Sequence, residues 1–137
     1  MGLDAIANAY DSTILALGAM GGLFLLQLLV VDVAGIRAKH EPGTPVEADP
    51  TDFHFRAVRA HANTNESIAA FVLLVLFAIF VGADPSWTNG AAIAFVAGRT
   101  SHMACYWAGL ALARSASFAV AMLALIALFV TGLGAAF

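Results

Sequence analysis

The chain has 137 residues, 61% of them hydrophobic and 11% charged, with a formal net charge of −3. A soluble domain is usually about 45–50% apolar and about 25% charged, and a chain this size buries only about two-thirds of the surface it exposes unfolded. That excludes an ordinary cytosolic enzyme, a disordered chain and a basic nucleic-acid binder, and the single cysteine, Cys105, excludes an intrachain disulfide framework and a cysteine-built zinc site.

The first apolar run is Thr13 to Val31, interrupted by Gln27 and closed by Asp32 and Arg37. A bilayer core needs about 20 apolar residues in a helix, so this run can span. A cleaved signal peptide does not fit: Met1 to Asp11 holds no Lys or Arg, and the run exceeds the roughly 7–15 residues of a signal core. Ile68 to Val81 is too short to span alone, but the polar residues before it are helix-compatible, so Asp52 to Val81 reads as one helix, half polar and half apolar. Pro85 then disfavours helix at the residue before it, which puts a turn at Ala83–Ser86. A third span follows at about Trp87 to Leu112 and a fourth at about Ser115 to Leu133. The expectation is a single all-α integral membrane domain, a four-helix bundle with spans at about 12–36, 53–81, 87–112 and 115–133. One link is long, the Pro- and acid-rich stretch from Lys39 to Thr51.

Basic residues set the orientation. Arg37, Lys39, Arg56, Arg59 and Arg114 flank the first and third links, whereas the N-terminus, the 82–86 turn and the C-terminus have no Lys or Arg. Both termini are therefore expected outside, with the 1–2 and 3–4 links in the cytoplasm. Arg99 lies about 18 Å along a helix from Trp87, past the midplane on the cytoplasmic side.

At about 100° per residue, Arg56, Arg59, Asn63 and Glu66 fall within an arc of about 80°, while His54, His61 and Asn65 cluster opposite. Arg99, His102 and Tyr106 share a face of the third span by i, i+3, i+7 spacing. An arginine near the bilayer centre costs about 2.5–3.5 kcal/mol on insertion scales, and such residues face a bundle interior or a wet cavity. A purely structural role would have Glu66 pair with Arg99 or Arg59 to hold helices together. One carboxylate does not neutralise Arg56, Arg59, Arg99 and Arg114, and the surplus suits an anionic ligand entering from the cytoplasm. Guanidinium forks favour carboxylates.

Other features carry less. Gly18-x-x-x-Gly22 is a close-packing pattern between membrane helices. Cys105, among apolar neighbours, reads as a small buried residue and not a nucleophile. His61 and His102 lack a third ligand at metal spacing, so no metal site is expected. Asp32 near the end of the first span pairs with Arg37 or a neighbouring helix.

The stretch Arg56-Ala-Val-Arg59-Ala-His61-Ala-Asn63-Thr-Asn-Glu66 resembles the second-helix motif of the MAPEG superfamily, the membrane-associated proteins in eicosanoid and glutathione metabolism. Arg99, His102 and Tyr106 match that family's third-helix spacing, and Arg114-Ser115 resembles the pair opening the fourth helix in its prostaglandin E synthase branch. Phe118 stands where the eukaryotic synthases often have a tyrosine. The resemblance implies a homotrimer that binds glutathione as co-substrate between subunits. Arg59, His61, Asn63 and Glu66 would form or support that site, with His102 and Tyr106 from the third span, Arg37 from the first and Arg99 near Glu66. Arg114 would stabilise the glutathione thiolate, with Ser115 close by. The expected activity is a transferase or peroxidase acting on a hydrophobic small molecule from the lipid bilayer, in a bacterial inner membrane with the thiol site facing the cytoplasm. The alternatives are a non-catalytic protein holding a lipid or amphipathic anion in the same cleft and, less consistent with polar groups on one side only, a proton-linked transporter.

Overall fold

The computed structural model describes residues 2–137, and within them the chain is all-helical. The elements are α1 (Leu3–Ala9), α2 (Asp11–Arg37), α3 (Phe53–Phe80), α4 (Pro85–Ala108) and α5 (Ala111–Ala136). The four long helices lie side by side, with α4 against α5 the most extensive contact.

Local chemistry sets the boundaries. Asp52 caps α3, its carboxylate accepting from the backbone N–H of His54 (3.2 Å) and Phe55 (3.1 Å). Asp84 caps α4 the same way through Ser86 and Trp87, and Pro85 occupies the first turn, where no N–H is needed. Gly109, at φ 74°, ends α4 in the left-handed conformation, and the Leu110 N–H closes on the Cys105 carbonyl at 2.9 Å. The third helix therefore stops at Ala108, four residues before the expected Leu112, and the fourth starts at Ala111 rather than Ser115. Arg114 lies in the opening turn of α5, not in a link.

The sequence did not point to α1. Tyr10 breaks the helix there, with φ −110° and ψ 29°, and buries its ring. Its hydroxyl donates to the Ala83 carbonyl. Burial and the nearby Asp84 carboxylate push the Tyr10 phenol pKa up, which keeps it a donor. From α4, the Asn89 side-chain oxygen accepts from the Thr13 N–H (3.0 Å) and hydroxyl (2.6 Å), and its amide donates to the Ala9 carbonyl at 2.9 Å. A side chain on one helix thus caps the start of another.

The core runs between the helices. Phe71 and Phe95 stack with centroids 4.3 Å apart, flanked by Met20, Val75, Leu125 and Leu128. A Cβ on Gly98 would lie 2.9 Å from the Ala121 backbone nitrogen, so α4 and α5 meet backbone to backbone there.

Three of the five helices, α2, α3 and α5, are long and apolar enough to cross a membrane among the described residues. This is an integral membrane protein by that composition. Four spans were expected, and α4 is the exception. It has 24 residues but carries Thr88, Asn89, Arg99, Thr100, Ser101 and His102. Four of these, Thr88, Asn89, Arg99 and His102, are buried or half-buried against its neighbours, so its polarity is directed largely inward.

Candidate functional site

Arg99 is the largest fully buried side chain, and it is built into the α3–α4 contact. Its guanidinium donates to the Asn63 side-chain oxygen at 3.0 Å and to the Thr64 hydroxyl at 2.9 Å. Thr64 in turn donates to the Ala60 carbonyl at 3.1 Å, which leaves its oxygen facing Arg99. The Asn63 amide reaches the Glu66 carboxylate at 3.4 Å. A relay therefore runs from the buried cation through a neutral amide to the acid on the outer face of α3. Asn63 is held at its oxygen by Arg99, so its orientation is fixed.

Asn63 also lines a cleft of about 250 Å³ with His102, Tyr106, Arg114, Ser115 and Phe118. Helices α3, α4 and α5 each contribute. The rings pack in sequence: Phe118 lies 6.1 Å from His102, and His102 meets Tyr106 edge-on at 5.4 Å. The Arg114 guanidinium sits 4.4 Å above the Tyr106 ring, a cation–π placement. Stacking steadies the guanidinium from one side and leaves its N–H edge available for an anion. Ser115 directs its hydroxyl proton to the Ala111 carbonyl at 3.1 Å and keeps its lone pairs outward. The buried Nδ1 of His102 has no protein partner.

Asn63, His102, Tyr106, Arg114 and Ser115 thus come together, and Arg99 stands behind them. Four other expected site residues do not line this cleft within one chain. His61 turns the opposite way and stacks on Phe24 of α2, with centroids 4.6 Å apart and planes at 24°. Arg59 is exposed on the outer face of α3, as is Glu66. Arg37 lines a separate, larger cleft of about 540 Å³ at the end of α2, walled by apolar residues such as Leu29, Val33 and Phe53. Arg56 leaves the surplus of free cations: it donates to the carbonyls of Trp107 (3.1 Å), Pro50 (2.9 Å) and Thr51 (2.7 Å). Thr64 is the functional neighbour that sequence reasoning missed. Its signal was the rule that a buried guanidinium needs several acceptors, which one asparagine does not supply.

The MAPEG family model matches residues 13–134. The chain belongs to the MAPEG family. Membership places it among membrane proteins of glutathione or eicosanoid metabolism. No curated protein matches this MAPEG chain in sequence. Among the described residues no group of three or more His, Cys, Asp or Glu is placed to hold a metal ion.

Proposed function

We propose that this MAPEG protein is a glutathione-dependent transferase or peroxidase that crosses a bacterial inner membrane four times and works as a homotrimer. The observation that carries this reading is the cleft in which Arg114, steadied on Tyr106, faces Asn63, His102 and Ser115. Glutathione offers two carboxylates, an ammonium group and a thiol. Arg114 takes the sulfur end. Glu66, exposed beside Asn63, takes the ammonium group, and Arg37 of a neighbouring copy takes a carboxylate.

A free thiol has a pKa of about 8.5, and an adjacent cation lowers it. Arg114 stabilises the thiolate as the proton leaves to water at the cytoplasmic mouth. In the transferase reaction the sulfur then forms a bond to an electrophilic carbon, whose leaving group or ring oxygen departs with the electron pair. In the peroxidase reaction the thiolate attacks the terminal hydroperoxide oxygen, the O–O bond breaks and its electron pair leaves on the alkoxide, which takes a proton to become the alcohol; a second glutathione thiol then displaces water from the resulting sulfenic acid to form the disulfide. Stabilising charge with groups fixed in advance is often the largest catalytic effect. The apolar cleft beside Arg37 offers walls for the hydrophobic co-substrate.

The decisive experiment pairs glutathione calorimetry with ultraviolet thiolate absorbance at neutral pH. Arg114→Ala is expected to retain most affinity and lose both the thiolate signal and turnover. A full thiolate signal in that variant would move the activating role to Arg37 or Arg59. Glu66→Gln is expected to weaken binding. The larger apolar cleft supports a second reading, a non-catalytic holder of a lipid or amphipathic anion; absence of glutathione binding at millimolar concentration would favour it. The proposed orientation puts both termini in the periplasm, so alkaline phosphatase fused after Phe137 should be active, and an inactive fusion there would turn the molecule over.

A further inference from the structure

The link between α2 and α3 folds back over the start of α3. Lys39 takes the left-handed conformation, at φ 54°, and the His40 N–H closes on the Gly35 carbonyl at 3.0 Å. The chain reverses there. The His40 ring donates to the Thr44 carbonyl at 3.0 Å and meets the His54 ring edge-on, with centroids 5.0 Å apart. Under this fold lies a cleft of about 410 Å³, lined by the carboxylates of Glu41, Glu47, Asp49 and Asp52, the amine of Lys39 and the two imidazoles. Negative charge therefore prevails in it.

The carboxylates differ in what they already hold. Asp49 accepts from the Thr51 N–H and hydroxyl, at 2.8 and 2.7 Å, which keeps its carboxyl below the usual range. Asp52 caps α3. The side chains of Glu41 and Glu47 are exposed, and among the described residues neither has a hydrogen-bond partner. The His54 ring is the opposite case, being 6% exposed yet also without a hydrogen-bond partner among the described residues. Buried polar groups are normally satisfied, and a ring nitrogen has a proton or a lone pair to place. His54 lines this cleft and also the apolar cleft beside Arg37, and Ala38 and Asp52 are shared in the same way. The two clefts adjoin, one apolar and one acidic, with a buried imidazole between them.

We propose that the acidic cleft is a headgroup subsite for a bilayer amphiphile whose tail lies in the apolar cleft: a phosphoethanolamine head places its ammonium on Glu41 and Glu47 and its phosphate on Lys39 and the His54 ring. This rests on the functional reading above and names the class of its hydrophobic co-substrate. Charge decides the head. A free fatty acid would set its carboxylate against four others. Arg37 lines the apolar cleft and not the acidic one, and glutathione engages it. A phosphoglycerol head keeps the phosphate and has no cation for the glutamates. Lys39 and His54 are what a bare amine would leave unused, and hydrogen bonds to a phosphate are of the stronger, charge-assisted kind. Volumes of about 540 and 410 Å³ both lie within the usual range of ligand pockets, about 300–1,000 Å³. Exposed ion pairs are individually weak, so two glutamates give a preference of about tenfold and not an absolute choice.

The test uses the full chain in a neutral detergent, without glutathione, so that it does not depend on turnover. Calorimetry compares three lipids with the same palmitoyl chain: lysophosphatidylethanolamine, lysophosphatidylglycerol and palmitate. The first should bind about tenfold tighter than either of the others. Glu41→Gln with Glu47→Gln, both on the exposed link, should bring it down to the level of lysophosphatidylglycerol. Lys39→Gln should weaken the two phospholipids and not palmitate, and Val33→Trp, which fills the apolar cleft, should weaken all three. Palmitate binding as tightly as lysophosphatidylethanolamine, or a preference that survives the double glutamate variant, would overturn the headgroup subsite. A preference found in a protein that binds no glutathione would keep the subsite and give it to the lipid holder. Glutathione-dependent turnover of a neutral electrophile, with no preference among the three lipids, would remove the subsite and leave the glutathione reading standing.

Discussion

Arg99 and Gln27 are both buried between helices, Arg99 with partners for two of its three nitrogens and Gln27 with none. Arg99 has two acceptors, Asn63 and Thr64, at 3.0 and 2.9 Å. Neither end of the Gln27 amide finds a protein partner, although its side chain is 1% exposed. Hydrogen bonds to charged groups contribute about 1.5–3 kcal/mol each, and an unsatisfied buried polar group costs about 1–3 kcal/mol. Arg99→Lys keeps the charge but not the fork, so it should lose one of the two bonds. Unfolding in detergent should show a loss of about 1.5–3 kcal/mol, and glutathione affinity should fall with it because Asn63 is no longer held. Gln27→Leu should do the reverse, raising stability by about 1–2 kcal/mol with binding unchanged. A destabilised Gln27→Leu protein would mean that the amide has a function in the folded core.

Among the elements, the α4–α5 pair forms the back of the cleft, and its separation is set at Gly98. An added methyl group would press on the Ala121 backbone nitrogen at 2.9 Å and the Ser117 carbonyl at 3.1 Å. Backbone cannot rotate away as a side chain can. Gly98→Ala should therefore cost about 1–3 kcal/mol, and it should also reduce glutathione affinity, since the cleft joins His102 and Tyr106 on α4 to Arg114 on α5. The same substitution at Gly18, where the surroundings are open in a single chain, should leave the fold of the monomer intact. Comparing the two by thermal scans separates tight packing from mere helix propensity. How much of these elements was legible in the sequence depends on what terminates them. The polar-then-apolar character of α3 was readable from composition, as was its joining into one helix. The end of α4 was missed because Gly109 acts through a positive φ, a backbone property that apolar counting does not register. For α1 the reason is distance, since the break at Tyr10 is stabilised by Ala83 and Asn89, more than 70 residues away.

At the scale of the molecule, the gathering of polar residues from the third and fourth spans was the most legible feature. Arg99, His102 and Tyr106 were expected on one face of the third span with Arg114 opening the fourth, and the structure joins the last three with Asn63 in a single cleft. The faces of α3 were less legible. His61 belongs to the same short motif as Asn63 yet stacks on Phe24, because two residues along a helix turn a side chain about 200°. Arg56 was read as free cation; carbonyls contributed by the loop at Pro50 and Thr51 hold it, and the charge pattern gives no warning of that.

The anchoring of α2 has a mechanical meaning. Its polar ties to the rest of the chain sit at its beginning, where Tyr10 holds Ala83 and Asn89 holds Thr13. At the far end, Val33, Ala34 and Arg37 border an apolar cleft of about 540 Å³. A rod clamped at one tip and loosely packed at the other bends as a cantilever, and its displacement grows with distance from the clamp. Hydrogen exchange should therefore quicken along α2 from Thr13 toward Arg37, in keeping with lower local stability where packing is sparse. Asn89→Ala should flatten that gradient by freeing the clamped tip, admitting large apolar molecules at either end of the helix instead of one.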